Sequence, residues 1–74
     1  MMPLSMASAG TKLEIMGFRG GFGMQRRLAD LGMNIGMEIS VVSTGRRGPL
    51  VVLVKGSRFA IGRGIAHHVY VKPK

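Results

Sequence analysis

The chain has 74 residues, no cysteine and 46% hydrophobic residues, with eleven lysines and arginines against three carboxylates for a formal net charge of +8. Its length bounds it to one domain, residues 1–74, with a thin core but enough apolar residues to exclude a disordered chain. Disulfides and thiolate metal sites are excluded, the cysteine usage fits a cytosolic protein, and the charge favours nucleic acid, an anionic membrane surface or an acidic protein face as partner.

The opening, MMPLSMASAG, has neither a basic region nor a long apolar run, so no signal peptide is expected. Pro3 to Gly10 reads as a lead-in, with Leu4 and Met6 packing on the body. Lys12 to Met16 alternates, with Leu13 and Ile15 on one face and Lys12 and Glu14 on the other, which is a strand pattern. Gly17 to Gly23, within GFRGGFGMQRRLADLG, is too glycine-rich for a regular element and reads as a loop. Met24 to Leu31 is the one good helix: Met24, Leu28 and Leu31 fall at i, i+4 and i+7, and Gly32 follows where a left-handed cap is favoured. Asn34 to Gly36 makes a turn.

The rest reads as β. Met37 to Ser43 puts Ile39 and Val41 on one face and Glu38, Ser40 and Val42 on the other. Thr44 to Pro49, TGRRGP, is a basic hairpin loop carrying Arg46 and Arg47. Leu50 to Lys55 is apolar on both faces, as in a barrel's central strand, and its apolar run of five residues is far short of the roughly 20 a membrane helix needs. Gly56-Ser57 is a two-residue hairpin turn, and Arg58 to Ile61 follows with Phe59 and Ile61 inward. Gly62 to Ala66 is read as a single 3₁₀ turn, and His67 to Lys72 as a last strand with Val69 and Val71 inward. Short strands at close spacing with one short helix predict a small, mainly β barrel.

Several chemistries can be weighed on these elements. A phosphate-binding loop needs a Lys-Ser or Lys-Thr at the helix start and a βαβ frame. Here the helix opens Met24-Gln25-Arg26-Arg27, and the chain has no room for that frame. A single Arg-Gly-Gly is not an RNA-binding repeat. Phe18 and Phe22 beside it could stack on bases or anchor the loop to the core. His67 and His68, neighbours on a strand, would point to opposite faces and cannot readily chelate one ion, so no metal site is assigned. Glu14, Asp30 and Glu38 are far apart in sequence and form no acid pair, so neither an enzyme nor a cofactor site is expected. The scatter of the seven methionines suits packing or an adaptable contact surface, and with exposed strand edges leaves self-association open.

The order RRLADLG, NIG, MEISVVS, then LVVLVKGSRFAIGRGIAHHVYV resembles the FeoA family of small cytosolic accessory proteins of ferrous iron uptake. The likeness spans Arg26 to Gly32, Gly36 to Val42 and Leu50 to Ile61, and covers nearly the whole chain. It implies an SH3-like β-barrel with a short helix inserted after the first strand. It also implies a non-enzymatic role through contact with FeoB, the ferrous iron transporter with a cytosolic GTP-binding domain. The chain departs from the family pattern at Asn34-Ile35, where Thr-Pro is usual, and at Gly62 to Ala66, where acidic residues are usual. Given that family role and the local charge, Arg19, Arg26, Arg27, Arg46 and Arg47 are the candidate partner-binding residues. The alternatives are a regulatory module of an iron-dependent transcription factor, a nucleic-acid-binding module, and a metal sensor using His67 or His68.

Overall fold

The computed structural model describes residues 1–45 and 48–74. In chain order these form β1 (Met2–Pro3), a 3₁₀ turn (Leu4–Met6), β2 (Lys12–Phe18), α1 (Phe22–Asp30), β3 (Glu38–Thr44), β4 (Leu50–Val54), β5 (Ser57–Ile61), α2 (Arg63–Ala66) and β6 (Val69–Pro73). The strands make one antiparallel six-stranded sheet in the order β1-β6-β2-β3-β4-β5. It curls about one core, giving the mainly β, SH3-like architecture the sequence implies. β1 and β5 end the order, and no ladder joins them among the described residues, so the barrel is open along that seam.

Alternation places the core. Leu13, Ile15, Ile39, Val41, Leu50, Val52, Val54, Val69 and Val71 are all buried, each from the inward face of its strand. Two register shifts bend the sheet, between Ile15 and Gly17 on β2 and between Val41 and Ser43 on β3. The first resets the alternation, so that Phe18 rather than Gly17 packs on the core. β2 also continues past the predicted boundary: Gly17 pairs with Tyr70, Phe18 with Val69, and the Arg19 N–H donates to the His68 carbonyl at 2.7 Å. The glycine loop therefore shrinks to Arg19–Gly21, because backbone pairing to β6 overrides the low strand preference of glycine.

α1 starts at Phe22, two residues before the predicted start, with Gly21 as N-cap and no side chain capping it. Its end is a Schellman motif. The Gly32 N–H donates to the Ala29 carbonyl at 2.9 Å and the Met33 N–H to the Leu28 carbonyl at 2.9 Å. Gly32 has φ +88°, and Leu28 and Met33 are both buried in the core cluster.

Four further expectations are corrected. The β4–β5 turn is Lys55-Gly56 rather than Gly56-Ser57, since Val54 pairs with Ser57. The φ values of 51° and 80° at Lys55 and Gly56 are those of a type I′ turn, which suits the twist of a hairpin. Gly62 to Ala66 contains an α-helical turn, not a 3₁₀ turn: the Ala66 N–H donates to the Gly62 carbonyl and His67 to Arg63. His67 and His68 precede the last strand rather than opening it. In the lead-in Leu4 is buried, but Met6 is 71% exposed.

Candidate functional site: the two flanks of helix α1

α1 has nine residues and only one of them, Leu28, is buried; Met24 is partly buried against the core. The predicted stripe of Met24, Leu28 and Leu31 does share one side: Leu28 enters the core, Leu31 stays exposed, and all three line a cleft. This cleft, about 200 Å³, runs between α1 and the β5–α2 corner, where Ala60, Ile61 and Ile65 form its other wall. It opens into a wider depression of about 570 Å³ walled by Met24, Arg27, Ile65 and His68. Arg27 lines both, so a guanidinium stands over a mostly apolar trench.

The other flank carries a shallow groove of about 520 Å³, lined among others by Phe18, Phe22, Arg26 and Ile35. Successive residues on an α-helix lie about 100° apart. Arg26 and Arg27 therefore point to different sides of α1 and line different depressions rather than one shared face. Arg19 is exposed in the three-residue loop before α1. Arg46 and Arg47 lie outside the described residues, and so does the tip of the predicted basic hairpin.

The electrostatics are one-sided. Among the described residues the single ion pair is Lys74–Glu38, at 3.6 Å between two half-exposed side chains. Arg19, Arg26 and Arg27 thus have no carboxylate partner. The first turn of α1 contains no acidic residue, so the positive end of the helix dipole is uncompensated. Arg63 is used structurally: its Nη2 donates to the Gly45 carbonyl, tying α2 to the β3–β4 hairpin.

The two histidines sit edge to face, with ring centroids 6.1 Å apart. His67 is exposed, with Nδ1 3.4 Å from the Ser5 hydroxyl. His68 Nδ1 is buried without a hydrogen-bond partner, beside the wide depression. Among the described residues no three His, Asp or Glu side chains converge as a metal site.

Of the two aromatic residues weighed as loop anchors or stacking platforms, Phe18 packs on the core and Phe22 does not. The Phe22 side chain is 89% exposed, and neither anchors the loop nor packs on the core. Two helical positions lie about 200° apart, so starting the helix at Phe22 would have put that side chain opposite the Met24 stripe. Ile35, also 66% exposed, lies on the same flank.

A family model for the FeoA domain matches residues 2–73. The chain belongs to the FeoA family. This FeoA-family chain is 36% identical over 72 residues to a Methanocaldococcus jannaschii protein named as an Fe(2+) transport protein A, with 97% of the chain and 87% of the relative covered. Its backbone is similar to the crystal structure of an iron uptake regulatory protein, FeoA, with TM-score 0.93, 34% identity, and 99% and 97% of the two chains covered. It also resembles part of a manganese-dependent transcriptional repressor, with TM-score 0.88 at 16% identity, over 97% of this chain but 41% of the repressor. At that identity only the fold is shared. Among the described residues of this FeoA domain no helix is long and apolar enough to cross a membrane.

Proposed function

We propose that the chain is a non-enzymatic, cytoplasmic accessory protein of ferrous iron uptake that acts by contact with the cytosolic GTP-binding domain of an FeoB-like transporter. The observation that carries this reading is the surface of α1. A short helix, held by Leu28, lines an apolar trench with Met24 and Leu31 and borders it with Arg27, which has no carboxylate partner among the described residues. Such a surface suits a protein face that supplies apolar side chains and carboxylates, with the charge guiding encounter and the trench holding the complex. Arg27 stands at the centre of the contact, with Arg19 and Arg26 as flanking charge. Arg46 and Arg47 stay candidates from their charge in the sequence alone.

The double substitution R26E/R27E tests this. Both side chains are exposed, so the fold survives, and affinity for the purified transporter domain is expected to fall at least tenfold by calorimetry. K12E, on the strand end remote from α1, is expected to leave it unchanged. Equal affinity for R26E/R27E and the parent would move the interface off α1. The net charge of +8 favours a second reading, a nucleic-acid-binding regulatory module. RNA affinity that falls steeply with salt, without affinity for the transporter domain, would select it.

A further inference from the structure

Phe22 and Ile35 form an apolar prominence that neither the core nor the trench uses. Phe22 is 89% exposed at the start of α1, and Ile35 is 66% exposed in the turn after it. Both line the groove that also holds Arg26, on the flank of α1 away from Met24 and Arg27. Arg19, exposed and unpaired, lies three residues before Phe22. The acidic position nearest to Arg26 in sequence is Asp30, which is not paired with it, and Glu38 follows Ile35 by three residues and pairs with Lys74.

We propose that this flank docks on an anionic lipid bilayer surface. Phe22 and Ile35 enter the boundary between headgroups and acyl chains, and Arg19 and Arg26 meet lipid phosphates. Interfacial binding needs both components: buried apolar area and attraction of basic residues to anionic lipid. Here the two occur side by side on a molecule of net charge +8. Two large apolar side chains, 89% and 66% exposed, border a shallow groove with Arg26, and exposed apolar groups beside basic ones suit a deformable anionic bilayer, whereas the trench beside Arg27 suits a partner's side chains. The proposal goes beyond the transporter reading through Phe22 and Ile35 and shares only the flanking charge of Arg19 and Arg26 with it; a domain resting on the bilayer by this flank would leave Arg27 and the trench open to a membrane protein's soluble part.

The chain contains no tryptophan, so F22W places a single indole at the tip of the prominence. With vesicles of phosphatidylglycerol and phosphatidylcholine at about 0.15 M salt, F22W emission is expected to shift to the blue, and the parent chain to co-sediment. Pure phosphatidylcholine vesicles and inorganic phosphate are expected to do neither. R26E is expected to lower partitioning by fivefold or more, since one basic residue near an anionic surface contributes about that factor. F22S/I35S is expected to lower it by about tenfold or more from lost apolar burial. Three results would overturn the proposal: no co-sedimentation with anionic vesicles, co-sedimentation unchanged in F22S/I35S, or an F22W shift with the transporter's soluble domain but not with vesicles. Far-UV circular dichroism of each variant checks that these exposed substitutions leave the fold intact.

Discussion

Two of the backbone positions with positive φ bear most directly on stability. Lys55 has φ 51° at the first central position of the β4–β5 turn, the one non-glycine residue with positive φ among those described. A left-handed conformation costs a residue with a Cβ about 1–2 kcal/mol, and asparagine tolerates it best. K55N is therefore expected to stabilise the chain by about 0.5–1 kcal/mol, a rise in Tm of about 4 °C for a domain of this size. A thermal melt followed by circular dichroism reads it, and a Tm equal to the parent's would show that Lys55 bears no strain. Gly32 is the opposite case. Its φ of +88° closes the Schellman motif that carries the chain from α1 into the buried Met33. G32A is expected to lose about 1–2 kcal/mol, and a loss near zero would mean that the cap rearranges without cost.

Helix α1 depends on little of its own. Nine residues make a marginal helix in water, and this one lacks an N-terminal side-chain cap. Its stability comes from Leu28 in the core and from the C-terminal motif. L28A is expected to cost about 2–5 kcal/mol in urea denaturation, whereas F22S should stay within about 0.5 kcal/mol of the parent. Equal effects would mean that Phe22 packs against the core. The strands were legible because alternation survives without tertiary information: Leu13 and Ile15, Ile39 and Val41, and Val69 and Val71 are buried as their spacing predicts. Three of the misplaced element boundaries have a physical cause in the structure. The end of β2 is decided by pairing of Gly17 and Phe18 with β6. The start of α1 is hidden by Gly23, which lowers helix preference by about 1 kcal/mol relative to alanine. The β4–β5 turn slipped by one residue because it accepts Lys55 in a conformation usually kept for Asn, Asp or Gly. Within the candidate site, Arg26 and Arg27 could be named as candidates from local charge together with the family resemblance, but their separation onto two flanks follows only once the helix is phased against the sheet.

Across the whole molecule the charge does little for stability. Among the described residues the one ion pair, Lys74–Glu38, joins half-exposed side chains, and such pairs are worth about 0–1 kcal/mol. The remaining positive charge acts outward, on whatever approaches. The fold arranges that outward surface with α1 as a ridge, Arg27 and the trench on one flank, and Phe22, Ile35 and Arg26 on the other. On this account encounter with the transporter domain slows at high salt, while the trench contact, being apolar, persists. The central claim is that α1 and its trench meet the transporter's soluble domain. An NMR titration of the isotope-labelled chain with the purified cytosolic GTP-binding domain of the cognate transporter tests it most directly, with a short RNA as the parallel arm. The expected result is shifts confined to residues 19–32 and the facing Ala60, Ile61 and Ile65, with no response to RNA at physiological salt. No shift with the transporter domain, together with tight and salt-sensitive shifts with RNA, would contradict the account.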